Sequence, residues 1–148
     1  MEGQRAKQAG LEVLRSLADA GGDMGEMSDA VPLLTAYAER FGVPAFTCTM
    51  HAIPPTPPVE YPGVEGIERA IRDWNEAYTT LRVTLDEVVE LEQAMVLLIE
   101  QVGLTRHGGV EVSQPSAMVW KLRDGRLTRL ELHLDRDEAL RSAGAAPD

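Results

Sequence analysis

One amphipathic helix followed by four strand-like runs fills residues 63–134, and this order constrains the fold more than any other feature. The helical segment reads GVEGIERAIRDWNEAYTT, and the runs are LRVTLDEVVEL, AMVLLIEQVGL, VEVSQPSAMVWKLR and RLTRLELHL. Short turn segments separate the runs, which predicts an antiparallel meander. A curved sheet of this kind wraps round its own helix and leaves a pocket inside. The segment therefore predicts an α+β protein with an internal pocket.

The first half of the chain predicts two helices with a mobile connection between them. Residues 5–20 carry leucines at helical spacing and end at a Gly-Gly pair. Residues 23–27 are expected to form the mobile connection. Ser28 or Asp29 is expected to cap the second helix, which ends at Gly42.

A strand, a loop and a third helix are predicted before the meander. The run VPAFTCTMHAI, residues 43–53, is rich in β-branched and aromatic residues at its centre and indicates a strand. The next segment, PPTPPVEYPG, is expected to be an extended surface loop because proline cannot donate a ladder hydrogen bond. One face of the third helix is marked by Ile67, Ile71, Trp74 and Tyr78.

The composition indicates one domain over residues 1–148, with residues 1–4 and 143–148 as frayed ends. Hydrophobic residues make up 44% of the chain. A chain of this length buries roughly 68–70% of its unfolded surface. A core can therefore form without help from a metal ion or a disulfide, and Cys48 is the single cysteine.

Charge and hydropathy exclude two classes of partner. A net charge of −10 repels the phosphate backbone of nucleic acids and anionic membrane surfaces. No apolar run approaches the ~20 residues of a membrane span. The first residues, MEGQRAKQAG, lack the apolar segment of a signal peptide. We therefore expect a soluble, cytoplasmic protein.

No cofactor and no metal site are predicted. His51, His107 and His133 are expected on distant elements, without the spacing of metal ligands. The glycines after His107 join two strands rather than open a helix, so they do not indicate a phosphate cradle. Asp135 begins a capping box, DRDE, that opens a C-terminal helix.

The register of the last hairpin follows from which pairing gives an apolar face. A two-residue Asp124-Gly125 loop in a regular ladder sets Trp120 against Arg129. A three-residue loop sets Trp120 against Thr128, and we predict this register because a one-residue slip mixes charge into the core. The inner face then holds Met118, Trp120, Leu122, Leu130, Leu132 and Leu134. The outer face holds Ala117, Val119, Lys121, Leu127, Arg129, Glu131 and His133.

The outer face of this hairpin is half apolar, and the predicted helices do not cover it. Apolar residues on an uncovered sheet face are typical of an interface. We therefore expect a homodimer joined through this face, around Val119, Leu127, Arg129 and His133.

Two segments resemble the NTF2-like superfamily and, within it, the SnoaL-like proteins: YPGVEGIERAIRDW before the meander and SAMVWKLRDGRLTRLELHLDRDEAL at its end. The similarity is good over residues 60–142 and loose over residues 1–59. It implies a cone-shaped α+β barrel, with N-terminal helices packed in a curved antiparallel sheet and a short C-terminal helix. It also implies a homodimer and a pocket for a small, mostly apolar molecule. Such proteins include polyketide cyclases, ketosteroid isomerases and epoxide hydrolases.

The catalytic groups that the resemblance implies are missing from this chain. The cyclases carry an aspartate base on the last strand, where this sequence has Leu132. The isomerases use a tyrosine of the first helix, but no aromatic residue precedes Tyr37. The epoxide hydrolases need an Asp-Arg-Asp set, which the strand interiors lack.

Glu100 and His51 are the two candidates for proton transfer. Glu100 interrupts the apolar run AMVLLIEQV, and a carboxylate walled by apolar side chains has a raised pKa and can act as a base. An outer-face position for Glu100, paired with an arginine, is the structural alternative. His51 ends the first strand beside the proline-rich loop, where it can transfer protons near neutral pH or simply bond to that loop.

The candidate ligand-binding residues combine flat apolar surface with a few polar groups, which suits a ring-shaped ligand. Core packing is the alternative for each aromatic member. The set is Trp74, Tyr78, Met118, Trp120, Tyr61, Gln114 and Leu132.

Three functions stay open on the sequence alone. The first is a pocket protein that binds a small, mostly apolar molecule, with polycyclic compounds among the candidates. The second is a cyclase, isomerase or epoxide-opening enzyme that uses Glu100 or His51. The third is a dimeric assembly module without chemistry.

Overall fold

Seven strands form one open sheet in the order β1-β4-β5-β6-β7-β2-β3. The computed structural model describes residues 2–18, 21–52 and 56–144. Within them the helices are α1 (Glu2–Leu17), α2 (Val31–Phe41), α3 (Gly66–Asn75) and α4 (Arg136–Ser142), with a 3-10 helix at Met27–Ala30. The strands are β1 (Asp23–Glu26), β2 (Gly42–His51), β3 (Val59–Pro62), β4 (Tyr78–Leu91), β5 (Ala94–Thr105), β6 (Glu111–Arg123) and β7 (Arg126–His133).

The predicted meander is confirmed, because β4, β5, β6 and β7 pair antiparallel in sequence order. The first long strand, β2, returns to pair parallel with β7. Helices α1, α2 and α3 pack in the inner face of this sheet. The core between them holds large side chains from every layer, among them Leu34, Ile67, Ile71, Met95, Leu97, Trp120 and Leu132.

The segment expected to be a mobile connection is a strand. Residues Asp23–Glu26 form β1, which pairs with β4 at the edge of the sheet. Gly25 has a φ of +74°, and its N–H donates to Oδ1 of Asp23, so the segment bends locally without losing its pairing. Oε2 of Glu26 also accepts a hydrogen bond from the N–H of Leu81. These carboxylate bonds hold the strand together with Met24, which is buried in the core.

Three predicted boundaries near the N-terminus need correction. Helix α1 begins at Glu2, inside the segment expected to be frayed, and ends at Leu17; residues 19 and 20 lie outside the described residues, as do residues 145–148. Neither Ser28 nor Asp29 caps α2. A 3-10 turn precedes α2, so its N-cap is Ala30, with no side-chain hydrogen bond.

Part of the predicted proline-rich loop is an edge strand. Residues Val59–Pro62 pair with β2, although residues 54 and 55 of the same segment lie outside the described residues. A proline is tolerated at the end of an edge strand because its missing N–H leaves no inner ladder bond unmade. The strand places Tyr61 opposite Cys48.

The predicted register of the last hairpin is wrong, although its inner face is nearly right. The loop is the two-residue Asp124-Gly125 turn with positive φ at both positions, +52° and +77°, which is the type I′ geometry. A bulge at Thr128 then adds one residue to β7, so Trp120 faces Leu130. Because of this bulge Leu127 turns inward and joins the core, whereas a position on the outer face was predicted.

Part of the outer face, on β5, β6 and β7, is covered by α4, which corrects the expectation that no helix covers it. Val96, Ala117 and Val119 form a second apolar layer with Ala139 of this helix. Val119 and His133 are 0% and 1% exposed in a single chain. The apolar character that motivated the dimer is therefore accounted for within one subunit.

Arg136 anchors α4 to the sheet at three points. Its Nη2 donates to the carboxylate of Asp86 at 2.6 Å and to the carbonyl oxygen of Ile99 at 2.7 Å, and its Nε donates to the carbonyl oxygen of Ser116 at 3.2 Å. Asp135 caps the helix as predicted, since its Oδ1 accepts from the N–H groups of residues 137 and 138. No helix among the described residues is both long and apolar enough to cross a membrane.

Candidate ligand pocket

A cavity of about 280 Å³ opens at one end of the sheet, and we call it the mouth pocket. It lies between the C-terminal end of α3, the ends of β2 and β7, and the segment before β3. Its wall is mainly apolar, with two amides and one carboxylate. The lining residues are Met50, Ala52, Thr56, Pro57, Val59, Asp73, Trp74, Ala77, Tyr78, Gln101, Gln114 and Leu134.

Gln101 is the buried polar group of this pocket. It lies on β5, where it shares the inner face with Leu97 and Ile99, and it is 3% exposed. Trp74 Nε1 donates a 2.6 Å hydrogen bond to its Oε1. The Nε2 group has no hydrogen-bond partner. A buried donor without a partner is costly, so the N–H₂ group of this lining residue is an unsatisfied polar group at the wall of the pocket.

Gln114 lies directly opposite Gln101 on β6, also on the inner side. Its Nε2 donates to the carbonyl oxygens of Pro115 at 3.0 Å and Leu134 at 3.3 Å. These bonds tie the ends of β6 and β7 together. Gln114 therefore braces these strand ends, whereas the Nε2 group of Gln101 has no hydrogen-bond partner.

Asp73 supplies the carboxylate of the pocket wall. Its Oδ2 accepts a 2.6 Å hydrogen bond from the hydroxyl of Tyr61, which lies on β3 behind the wall. Partial burial, together with the bond to Asp73 and its negative charge, raises the pKa of Tyr61 to about 12. Tyr61 therefore stays protonated and holds the carboxylate in one orientation, without itself lining the pocket.

Trp74 and Tyr78, two of the candidate ligand-binding residues, line the mouth pocket from different elements. Trp74 is in the last turn of α3, and Tyr78 begins β4 instead of continuing the helix. The ring of Tyr78 packs over Gly103, where a Cβ would lie 2.5 Å from the Tyr78 ring. A glycine at this position of β5 leaves room for the ring.

Three predicted lining residues lie in the core instead. Met118, Trp120 and Leu132 are at most 2% exposed and pack beneath the helices. Trp120 contacts the ring of Tyr37 at a centroid distance of 5.2 Å, and α1 approaches the same indole at Gly10. The first helix fills the space that a ligand was expected to occupy, so the cavity is confined to the mouth.

Glu100 faces away from the pocket, on the outer side of β5. Its position opposite Pro115 puts it beside Ser113, whose hydroxyl donates to its carboxylate. Its neighbour Gln101 takes the inner position. This outer position does not give Glu100 the apolar enclosure that was expected from the sequence.

His51 also lies on the outer face, in a group that we call the histidine–glutamate cluster: His51, Glu131 and His133. Because β2 and β7 pair in parallel, His51 is opposite His133, and the two rings stack at 4.1 Å with an interplanar angle of 13°. Sequence analysis placed these histidines on distant elements, which is wrong because parallel pairing is a long-range contact. The third histidine of the sequence, His107, lies in an exposed turn.

The histidine–glutamate cluster is a buried ionic network. Glu131 accepts from Nε2 of His133 and Oγ of Ser142, both at 2.8 Å, and Lys121 Nζ lies 3.2 Å from its other oxygen. Burial opposes its charge, but these bonds and the lysine lower the pKa of Glu131 to about 2. Burial and the charge of His133 lower the pKa of His51.

The same cluster places three metal-ligating atoms within 4.8 Å of one another. Two features of its geometry work against a cation. The imidazole planes are nearly parallel, so their lone pairs do not converge on one point. Lys121 and Arg129 also lie within 4.0 Å of the carboxylate and already neutralise it. We therefore describe the cluster as structural.

A second, wider groove of about 830 Å³ runs between the 3-10 helix, α3 and β4. Charged side chains of both signs line it, among them Glu26, Glu68, Arg72 and Arg106. It shares Asp73 and Tyr78 with the mouth pocket. The groove is larger, but the apolar wall and the unpaired amide make the mouth pocket the better site for a small molecule.

Sequence analysis missed Gln101 and Asp73. The alternation along β5 contained the signal for Gln101, because Gln101 shares parity with the apolar residues Leu97 and Ile99. Asp73 had no such signal, since a charged residue beside Trp74 on an amphipathic helix is typical of a solvated face.

No family model matches the sequence, and no curated protein matches it either. Solved structures do share its fold. A putative SnoaL-like polyketide cyclase from Jannaschia sp. CCS1 has a TM-score of 0.58 at 16% identity, covering 98% of this chain and 94% of that one. TsrD from Streptomyces laurentii has a TM-score of 0.55 at 20% identity, with 95% and 98% covered.

A third structure, a protein of ketosteroid isomerase-like fold from Catenulispora acidiphila in complex with trimethylamine, has a TM-score of 0.56 at 13% identity, with 94% of each chain covered. Each of these three neighbours aligns over at least 94% of this chain. The identities are low, so the likeness concerns the fold. The chain has the NTF2-like cone fold that SnoaL-like proteins also adopt.

Proposed function

We propose that this chain binds a small, mostly apolar ring compound that carries a hydrogen-bond acceptor, in the mouth pocket. The observation that carries the proposal is the unpaired Nε2 of Gln101, buried among apolar lining residues. A carbonyl or ether oxygen of the ligand accepts from this group, and the flat surfaces of Trp74 and Tyr78 contact its ring.

The orientation of the amide supports this choice of ligand. An indole N–H can only donate, so the Gln101 atom that it contacts at 2.6 Å is the oxygen. The nitrogen is then directed to the other side of the amide, where it lacks a partner. A ligand with an acceptor satisfies this nitrogen, whereas a pure hydrocarbon leaves it unpaired.

The size of the pocket limits the ligand. Its volume of about 280 Å³ is near the lower end of the range for small-molecule sites, roughly 300–1,000 Å³. A compound of two or three fused rings fits this volume better than a four-ring skeleton. The core sets this limit, since Trp120 and Met118 fill the deeper space.

A matched pair of ligands tests the proposal. Fluorenone and fluorene differ by one carbonyl oxygen, so their affinities for the full chain isolate the contribution of the acceptor. We expect fluorenone to quench Trp74 fluorescence in a Trp120→Phe background and to raise the melting temperature, as linkage requires. We expect Gln101→Leu to weaken fluorenone about tenfold and to leave fluorene unchanged.

Gln93→Leu provides the control, because Gln93 is exposed in the turn between β4 and β5. Equal affinity for the two compounds, unaffected by Gln101→Leu, contradicts the role of the amide. Absence of saturable binding of either compound contradicts the ligand site as a whole.

An isomerase or cyclase activity is the second candidate, and Asp73 favours it. This carboxylate lines the pocket and is held by Tyr61, as a positioned base needs to be. Glu100 and His51 do not support it, since both lie on the outer face. Asp73→Asn keeps the hydrogen bond from Tyr61 but removes the base. For an enzyme, turnover of a ketone substrate is expected to fall about 10²–10⁴-fold; unchanged turnover contradicts a role for Asp73.

Dimerisation and an assembly role are separate proposals. A dimer through the outer face has to use the outer surface of α4 or the exposed edge residues, because α4 already covers Val119. Sedimentation at micromolar concentration decides between monomer and dimer. A monomer rules out both the dimer and the assembly module, and leaves ligand binding unaffected.

A further inference from the structure

Three arginines from distant parts of the sequence line one depression at the end of the sheet where β7 begins. Arg5 comes from α1, Arg40 from the end of α2, and Arg126 from the start of β7. The depression has a volume of about 310 Å³, and Phe41 and Gly125 complete its wall. We call it the arginine depression. The sequence contains no run of basic residues that announces it.

Two of the three guanidinium groups are held in place by the fold. Arg126 Nη2 donates to the carbonyl oxygen of Gly42 at 2.6 Å. The guanidinium of Arg40 lies 5.1 Å from the ring centroid of Phe41, within cation–π distance. These contacts use one N–H and one face, so most of the five donors of each group stay available.

None of the ion pairs among the described residues includes any of these three arginines. This is unexpected in a chain with 24 acidic and 14 basic side chains. Three positive charges around one concave surface, without a carboxylate, repel one another and concentrate a positive potential there. A bound anion removes this cost.

We propose that the arginine depression binds a small molecule through a multiply charged oxyanion, a phosphate or a polycarboxylate. Guanidinium groups bind such oxygens through paired, charge-assisted hydrogen bonds. The ring of Phe41, half-buried in the wall, contacts the uncharged part of the same molecule.

This site is distinct from the mouth pocket. Arg126 begins β7 and Leu134 follows its end, so the eight residues of the strand separate the two. At ~3.3 Å per residue the distance between them is about 25 Å. The mouth pocket suits an apolar ligand, and the arginine depression suits a charged one, so one small molecule does not fill both.

Titration of the full chain with pyrophosphate and with citrate, at low ionic strength and with matched chloride, tests the proposal. We expect saturable binding of at least one, and Arg5→Gln or Arg40→Gln is expected to weaken it about tenfold. Arg126→Gln also loses the bond to Gly42. If the Arg126→Gln protein unfolds, the Arg5→Gln and Arg40→Gln variants decide the question. Arg15→Gln is the control, since it removes an exposed arginine of the same helix outside the depression.

The pattern of binding shows which class of anion the arginine depression binds. Binding of pyrophosphate alone assigns a phosphate ligand, and binding of citrate alone assigns a polycarboxylate. An equal loss in Arg15→Gln contradicts a built site, because it indicates attraction by overall charge only. Lack of binding to either anion overturns the proposal, as does binding only to vesicles of anionic lipid.

Discussion

The indole of Trp74 and the amide of Gln101 are joined by a 2.6 Å hydrogen bond across the mouth pocket, from α3 to β5. The bond fixes the helix end against the sheet and at the same time sets the orientation of the amide. In the binding role proposed above, structure and recognition depend on the same contact. A residue pair with both roles is sensitive to loss of either partner.

A double-mutant cycle measures this contact. Trp74→Phe leaves the oxygen of Gln101 unpaired, and Gln101→Leu leaves the indole N–H unpaired, so each is expected to lower the free energy of unfolding by about 1–3 kcal/mol. The double variant removes both polar groups and is expected to cost less than the sum. Urea unfolding of the four proteins gives the coupling. If the costs of the two single variants simply add, a direct bond is contradicted. The control cycle combines Tyr61→Phe with Gln101→Leu.

Arg136 is expected to be the most sensitive position of α4. Lysine keeps the charge at this position but cannot donate to Asp86, Ile99 and Ser116 together, because it lacks the guanidinium fork. Arg136→Lys is expected to lower the free energy of unfolding by about 1–3 kcal/mol. Arg141→Lys, which alters only an exposed pair with Glu138, is expected to have almost no effect. Equal midpoints in urea for the two variants contradict the anchoring role.

The histidine–glutamate cluster predicts that acid destabilises the fold. Burial lowers the pKa of His51 below its ordinary 6.5, so the unfolded chain takes up its proton first, and this part of the stability is present above pH 6.5 and lost as the pH falls. The pKa of Glu131 falls from 4.5 to about 2, so its contribution is present above pH 4.5 and lost toward pH 2. The contributions of His51 and Glu131 to stability therefore both decrease as the pH falls.

Unfolding in urea between pH 8 and pH 5 checks the histidine part. The loss of stability over this range is expected to be smaller in His51→Gln than in the unchanged chain, because glutamine does not titrate. His107→Gln, in an exposed turn, is the control and is expected to keep the full loss. An identical pH dependence in all three proteins excludes His51 as a source of the loss of stability.

The elements of this fold were largely predictable, because alternation and helical spacing are local signals. All four strands of the meander and the helix before them were found in this way. The register of the last hairpin was not, since a bulge at Thr128 produces the same apolar alternation as a longer loop. Pattern alone does not distinguish these two solutions.

The long-range contacts were the part that the sequence did not reveal. Stacking of His51 on His133 follows from the parallel pairing of β2 with β7, which joins residues about eighty positions apart. The packing of α4 on the outer face is a long-range contact too. Its seven residues carry a weak apolar pattern, which does not predict the surface that the helix packs against. Both errors concern the outer face, where Glu100 and His51 also lie.

Val119 gives the sharpest test of what covers that outer face. It is fully buried in a single chain, beneath Ala139 of α4. Val119→Glu places a charge in this apolar layer without a partner, so the expected loss is about 3 kcal/mol or more of unfolding free energy. A dimer interface at the same position predicts a different result, namely weaker association with an intact fold. Val110→Glu is the matched control, because Val110 is 58% exposed and is expected to tolerate the charge. Urea unfolding and sedimentation of both variants separate the outcomes: a folded, monomeric Val119→Glu protein of unchanged stability contradicts the packing of α4 described above.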